Sequence, residues 1–95
     1  MARIIWSPNA SDDLESICEY IAIDSEYYAR LFAKRVIKAI ERLIVFPESG
    51  RIVPEYNLRN IREIIYQNYR IVYRVKSETV EIVTIVHGAR LLDHL

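Results

Sequence analysis

The stretch IREIIYQNYRIVYRVKSETVEIVTIVH, residues 61–87, decides the fold of this chain. Polar and apolar side chains alternate along Tyr69–Lys76, which is the period of a β-strand with two different faces. Candidate strands lie on both sides of it, at Ile61–Tyr66 and at Thr79–His87, and the second is nearly continuously apolar. These residues predict three strands of a mostly antiparallel sheet, with Thr79–His87 in its interior.

The residues before the sheet predict a short strand and two helices. Ala2–Trp6 contains the β-branched and aromatic residues that favour strands. A helix over Pro8–Ile23 follows, with Ser7 as its N-cap and proline at its first position. Apolar residues then recur at three- and four-residue spacing over about Glu26–Phe46, which predicts a second helix. The order β-α-α-β-β-β predicts an α+β fold with the helical hairpin packed on one sheet face.

Length and composition exclude several classes of protein. A chain of 95 residues forms one domain, here residues 1–95, and 52% apolar with 27% charged residues is typical of a globular protein. The single cysteine, Cys18, excludes an internal disulfide, and no spacing typical of metal ligands or a cofactor motif is present. No apolar run approaches the ~20 residues that a membrane span requires. We therefore expect a cytoplasmic protein without metal or cofactor.

Positive and negative charges balance in total but are separated along the chain. Thirteen basic and 13 acidic residues give a net charge of zero, which argues against general nucleic-acid binding. Residues 9–26 contain six acids and no base, whereas residues 27–46 contain five bases and only Glu41 as an acid. The basic face of the second helix is therefore interpreted as a solvated face that lies opposite the acids of the first.

Arginines gather where they could line the sheet face that the helices leave open. Arg70 and Arg74 share one face of a strand, and arginines also stand at neighbouring strand or loop ends, at Arg51, Arg62 and Arg90. A guanidinium group offers phosphate a planar fork of donors, and tyrosine rings can stack on bases. These residues could form an RNA-binding surface, and its candidate contacts beside Arg70 are Arg51, Arg74, Tyr69 and Tyr73.

The alternative interpretation is that these arginines are structural. Arg62 and Arg70 have possible cross-strand partners of opposite charge in Glu55, Glu63 and Glu81. In that case the guanidinium groups are neutralised within the fold and bind no external anion.

Two further residues have the chemistry to move protons. His87 ends the last strand, and imidazole titrates near neutral pH. Glu55, in the loop after Pro54, is a candidate general base. Each also has an ordinary interpretation, His87 as a hydrogen-bonded strand end and Glu55 as a solvated loop carboxylate. No serine or cysteine has a base at a spacing that indicates nucleophilic catalysis.

Several motifs, taken in order, resemble toxins of the RelE/ParE superfamily. They are WSPNA at 6–10, FPESGR at 46–51, VPE at 53–55, YRIVY at 69–73 and HGAR at 87–90. Each motif is weak by itself, but the ordered set covers nearly the whole chain. The fold of this superfamily, two helices against an antiparallel sheet, is the same as the one predicted from the periodicity.

The resemblance implies a toxin of a type II toxin–antitoxin module, encoded beside an antitoxin that neutralises it in a hetero-oligomer. RelE-like and YoeB-like members cleave mRNA without metal, usually on the ribosome, whereas ParE-like members bind and block DNA gyrase. Our first expectation is an mRNA endonuclease that inhibits translation. A gyrase inhibitor that acts by binding is the alternative, and an inactive module that only binds antitoxin is the third.

The resemblance also implies catalytic roles for individual residues. Metal-free RNA cleavage requires an activated 2′-hydroxyl, a stabilised phosphorane charge and a protonated leaving oxygen. Arg70 matches the arginine that stabilises the phosphate, and Glu55 resembles the general base of the YoeB branch. The remaining basic and acidic groups would come from Arg62, His87 and Arg90.

Overall fold

The structure is a computed structural model that describes residues 1–92, so residues 93–95 of the predicted domain lie outside it. A 3-10 turn at Arg42–Ile44 extends the second helix. The strands and helices, in chain order, are β1 (Arg3–Trp6), α1 (Pro8–Asp24), α2 (Glu26–Glu41), β2 (Arg51–Ile52), β3 (Ile61–Tyr66), β4 (Tyr69–Lys76) and β5 (Thr79–His87).

The predicted α+β fold is confirmed: two helices pack on one face of a mixed five-stranded sheet. The strand order is β1-β5-β4-β3-β2, in which β1 is parallel to β5 and the other neighbours are antiparallel. The bounds of β3, β4 and β5 are those predicted from the sequence. Gln67 and Ser77, in the two-residue turns between these strands, have φ of 52° and 51°, as tight hairpin turns require.

Two elements differ from the prediction by more than one residue. The α-helix α2 ends at Glu41 rather than at Phe46, because Arg42–Ile44 winds into a tighter 3-10 turn that still directs Leu43 into the core. The strand β2 was not predicted, since two residues are too few to show an alternating pattern.

Serine side chains begin both helices. The Oγ of Ser7 accepts a hydrogen bond from Ala10 N at 3.0 Å, and the Oγ of Ser25 accepts one from Tyr28 N at 3.2 Å. Both contacts satisfy an amide that has no partner within the helix. The N-cap predicted at Ser7 is confirmed.

A β-bulge in β5 is held by the start of α1. Tyr73 pairs with Ile82 but Val72 pairs with Thr84, so Val83 is the extra residue. The Ser7 hydroxyl donates to the Val83 carbonyl at 2.8 Å, and the Asp13 carboxylate accepts hydrogen bonds from Thr84 Oγ1 and from Ile85 N. The position of α1 is thereby coupled to the register of the central strands.

The two faces of the sheet have separate apolar clusters. On the helix side, Phe32, Val36 and Ile40 of α2 pack in one cluster with Ile71 and Tyr73 of β4. On the opposite side a smaller cluster lies beneath the loop that follows β2, and its members are Val53, Ile61 and Val72 with the partly buried Tyr56, Val83 and Leu92. The second face is therefore partly covered rather than open.

The loop before β2 leaves no room for a side chain at Gly50. A Cβ atom there would lie 2.6 Å from the Glu63 carbonyl oxygen and 2.6 Å from the Tyr73 hydroxyl, which accepts a hydrogen bond from Gly50 N at 2.9 Å. We expect Gly50→Ala to lower the free energy of unfolding by about 1–3 kcal/mol, because the loop must move away from β3. Urea denaturation measures this, with the exposed neighbour Ser49→Ala as the control, expected within about 0.5 kcal/mol of wild type. Equal stability of the two variants would contradict the close approach.

Candidate functional site

Arg70 lies at the centre of an ion-pair network on the sheet face away from the helices. Its Nε donates to Glu63 Oε1 at 2.6 Å, and its Nη1 and Nη2 donate to the two oxygens of Glu55 at 2.6 and 2.7 Å. Its Nη1 also donates to the Arg90 carbonyl at 3.1 Å. The second oxygen of Glu63 accepts from Arg51 Nε at 2.6 Å. We call Arg51, Glu55, Glu63 and Arg70 the Arg70 network.

Strand register explains why these side chains meet. Glu63 of β3 is directly opposite Arg51 of β2 and opposite Val72 of β4. Arg70 lies two residues from Val72 along β4, so its side chain points to the same face as that of Glu63. The loop after β2 then returns over this face and brings Glu55 against the outer end of the guanidinium group.

The central pair of this network, Arg70 and Glu63, is buried. Arg70 is 5% exposed and Glu63 only 1%, and a buried charge is costly unless it is paired and hydrogen-bonded. The hydrogen bond from Arg70 holds the pKa of Glu55 at about 2, well below its ordinary value. The same hydrogen bond with Glu55 raises the pKa of Arg70. Both groups are therefore fully charged at neutral pH.

This arrangement gives two of the predicted catalytic residues a structural role. The hydrogen bonds from Arg70 occupy four of its five N–H donors, so it is not a free cation on an open sheet face. A carboxylate with a pKa of about 2 is a poor acceptor for the proton of a 2′-hydroxyl. The alternative interpretation, in which Arg70 pairs with Glu55 and Glu63, describes the observed contacts.

His87 lies on the opposite face from Arg70. It pairs with Tyr69 in the sheet, whereas Arg70 pairs with Val86, and neighbouring residues of a strand point to opposite faces. The exposed His87 ring packs edge-on against Tyr69 with 5.9 Å between centroids, and its Nδ1 accepts from Ala89 N. The structure therefore does not bring together the expected base, charge stabiliser and acid.

The two tyrosines predicted to contact RNA also lie on the helix side. Tyr73 is fully buried, and burial raises its pKa, so its ring has no surface on which a base could stack. Tyr69 is half-buried and packs edge-on against Phe32 with 5.3 Å between centroids. Neither ring lies beside Arg70, and the expected arginine–tyrosine surface is absent from the described part of the chain.

The Arg62 side chain donates hydrogen bonds to backbone carbonyls, two of them in the loop before β2, and not to a carboxylate. Its Nε donates to the Arg59 carbonyl at 2.9 Å, and its Nη1 donates to the carbonyls of Glu48 and Gly50 at 3.2 and 2.9 Å. Since it pairs with Tyr73 in the sheet, Arg62 lies on the face away from the Arg70 network. The proposed pairing of Arg62 with a glutamate is wrong.

The last two predicted arginines line a polar groove of about 510 Å³ on the network side of the sheet. Arg74 donates from Nη1 to Glu81 Oε1 at 3.0 Å, which is a half-buried cross-strand pair. The exposed Arg90 contributes its side chain to the groove and its carbonyl to Arg70. Arg51, too, is paired, with Glu63.

Two structurally important residues were not identified from the sequence. They are Glu63, at the centre of the Arg70 network, and Asp13, whose carboxylate accepts hydrogen bonds from β5. The alternation placed Glu63 near Arg70, but its contact with Arg51 depends on the two-residue strand β2. Asp13 looks like one of several solvated acids of α1, and no sequence signal marks the bulge that it caps. The expected attraction between α1 and α2 is also missing, since no ion pair joins the two helices within residues 1–92.

Two searches of the described residues bear on cofactors and membranes. Among residues 1–92, no group of three or more histidine, cysteine, aspartate or glutamate side chains is arranged to hold a metal ion. Neither helix in the same range has the length and apolar character needed to cross a bilayer.

Comparison with known proteins identifies the family. The family model described as "ParE toxin of type II toxin-antitoxin system, parDE" matches residues 4–92. The chain belongs to the ParE toxin family. It is 36% identical over 91 residues to "Toxin RelE2" of Caulobacter vibrioides, an alignment that covers 96% of this chain and all of that protein.

A solved structure supports the fold. The chain described as "Chromosomal ParDE TA system from P. aeruginosa" superposes with a TM-score of 0.74 over 92% of this chain and 96% of that one, at 18% identity. As a ParE-family protein, the chain is the toxin of a type II toxin–antitoxin module, and its partner is an antitoxin.

We expect the buried Glu63 carboxylate of the Arg70 network to contribute more to stability than a more exposed carboxylate of the sheet. Glu63→Gln leaves two guanidinium groups without their shared anion, and we expect it to lower the free energy of unfolding by about 3–5 kcal/mol. The matched control is Glu81→Gln, which removes the half-buried partner of Arg74 and is expected to cost under about 1 kcal/mol. Urea denaturation of the three proteins measures both values. Similar small losses for both variants would show that the network is not the main electrostatic contact of the sheet.

The low pKa of Glu55 predicts that the stability of the fold depends on pH in the acidic range. Because the folded pKa of about 2 is below the reference value of 4.5, the Glu55 carboxylate stabilises the fold above pH 4.5 and this contribution is lost as the pH falls towards 2. Glu55→Gln should therefore be less stable at pH 7, and the gap to wild type should narrow between pH 4.5 and 2. Thermal unfolding across this range measures the gap, with the turn variant Glu78→Gln as control. A constant gap would contradict the pairing.

Proposed function

We propose that this toxin arrests growth by binding DNA gyrase without covalent chemistry of its own, as ParE-like members of the superfamily do. The observation that carries the proposal is the pairing of Arg70 with Glu55 and Glu63. The arginine that would stabilise a scissile phosphate is buried, and its charge is compensated by two carboxylates. A phosphate would have to displace Glu55 and break the contact that holds the loop.

The nuclease expected first from the sequence has weaker support. Metal-free cleavage needs a base, a cation and an acid around one phosphate. Glu55 has a pKa of about 2, Arg70 is occupied, and His87 lies across the sheet. These three positions supply none of the three functions in the observed arrangement.

A surface suited to a protein target lies at the tip of the helical hairpin. Tyr20 and Ile23 at the end of α1 and Tyr27 and Tyr28 at the start of α2 are between 62% and 79% exposed. Tyrosine is enriched at the energetic centres of protein interfaces, and a cluster of large exposed apolar residues is typical of a binding surface. Exposed acids surround this tip, at Glu19, Asp24 and Glu26, which favours a partner with a basic surface, as an enzyme that handles DNA has.

Two assays on the purified toxin separate the binding mechanism from the nuclease. We expect inhibition of supercoiling by purified gyrase, and intact mRNA in a translating extract, because the toxin binds and does not cleave. Tyr27→Ser combined with Ile23→Ser should weaken the inhibition by about tenfold or more, since interface centres contribute over about 1 kcal/mol each. Leu58→Ser, an exposed apolar residue elsewhere, is the control and should inhibit like wild type.

Truncated mRNA within minutes, with supercoiling unaffected, would overturn the proposal in favour of the nuclease. Inhibition that survives the double substitution would leave gyrase as the target and remove the hairpin tip as the contact.

A further inference from the structure

The outer surface of the helical hairpin, which faces away from the sheet, carries two stripes of opposite charge. Lys34 stands two residues from the buried Phe32 and Val36, and Glu19 stands two residues from Ile17, so both lie on the far side of their helices from the core. Members of each stripe recur at three- or four-residue spacing and share one helical face. The acidic stripe on α1 consists of Asp12, Glu15 and Glu19, and the basic stripe on α2 of Arg30, Lys34 and Lys38, all exposed.

The two stripes do not neutralise each other within the chain. In residues 1–92 no ion pair joins α1 to α2. Arg30 has an acidic neighbour on its own helix, Glu26, but the two groups are 4.0 Å apart and both side chains are more than 70% exposed. Such a pair contributes little to stability. The charges of both stripes are therefore available to a partner.

An apolar groove of about 440 Å³ runs between the stripes. Its walls include Leu14 and Cys18 of α1 and Ala33 and Ile37 of α2. Ile37 is 43% exposed although it lies between two packed helices. Protein interfaces commonly surround an apolar centre with a polar rim, and the outer face of the hairpin has this arrangement.

The stripes also match each other in position along the hairpin. The acids stand five, nine and twelve residues before the end of α1, in the order Glu19, Glu15, Asp12. The bases stand four, eight and twelve residues after the start of α2, in the order Arg30, Lys34, Lys38. Because the rise per residue is the same in both helices, each acid lies within about one residue of the height of one base.

A two-fold axis that runs along the helices turns this match into a self-complementary surface. Rotation about such an axis places α1 of one copy over α2 of the other and leaves heights along the hairpin unchanged. Each acid of one copy then faces the base of equal height in the other, and every such pair forms twice. An axis across the helices would instead place α1 over α1 and oppose like charges, so the charge pattern selects one orientation.

We propose that two copies of this chain associate through the outer face of the hairpin, with the acidic stripe of each copy against the basic stripe of the other. Any other partner would need the same two stripes in reverse. Nucleic acid would fit the basic stripe but be repelled by the acidic one, and a protein surface of one charge would match half of the face. A second copy supplies both stripes by symmetry.

The size of this face sets the expected strength of the dimer. Two helices about 25 Å long and together about 20 Å wide offer roughly 500 Å² per copy. A total of about 1,000 Å² is at the lower end of specific interfaces, so we expect a dissociation constant in the micromolar range that rises with salt.

The dimer would also cover part of the hairpin tip. Ile23 lies one residue before the end of α1 and Tyr27 one residue after the start of α2, so the two would meet across the interface. Both are exposed in the single chain. A second copy and a gyrase surface at the tip would therefore compete. The dimer itself does not depend on gyrase being the target, because association is measured with the toxin alone.

Reversing one stripe at a time tests the proposal. Glu15→Lys with Glu19→Lys makes both stripes mainly basic, and Arg30→Glu with Lys34→Glu makes both mainly acidic. We expect the dissociation constant of each variant alone to rise about tenfold or more, because like charges then face each other. An equimolar mixture of the two variants should dimerise at least as tightly as wild type, since each basic stripe meets an acidic one. Sedimentation equilibrium of the purified toxins measures all three values.

The matched control changes the same charges on another side of α2. Arg35 and Arg42 border β3 and not α1, so Arg35→Glu with Arg42→Glu should dimerise within about threefold of wild type. All of the substituted positions are exposed, and circular dichroism of each variant checks that the fold is retained.

Four outcomes would overturn the proposal. The first is a wild-type toxin that stays monomeric at about 1 mM, where even an association of 4 kcal/mol would be visible. The second is a stripe variant that dimerises as tightly as wild type. The third is a mixture of the two variants that does not associate. The fourth is a control variant that loses as much affinity as the stripe variants, because the loss would then follow total charge and not the opposed stripes.

Discussion

The carboxylate of Glu63, held between two guanidinium groups, is the contact on which this side of the molecule depends. It joins β3 to β2 through Arg51 and to β4 through Arg70, which in turn binds the loop through Glu55. Glu55 also accepts from Leu92 N at 3.2 Å, so the segment after β5 is attached to the same point. Three strands, a loop and the end of the described chain thus converge on one buried charge.

This architecture limits the chemistry of the face. A buried ion pair is weak evidence of a net gain in stability, because desolvation opposes the Coulombic attraction. While Arg70 is paired in this way, most of its donors are occupied and are not free for an external phosphate. The residues that hold the loop over the sheet are also the ones that a nuclease would need unpaired. In the structure they are paired with each other.

Much of the fold could be predicted from the sequence because the signals that specify its elements are local. The two-residue period and short turns specify β3, β4 and β5, and serine caps specify the helix starts. The grouping of Tyr69 and Tyr73 with Arg70 as one RNA surface conflicted with the same alternation, since odd and even residues of a strand face opposite sides. The pattern does not show which residues meet across the sheet. The position of His87 depends on the register of β5, and the pairing of Arg70 depends on a loop that returns from β2. Both are long-range properties that no window of sequence contains.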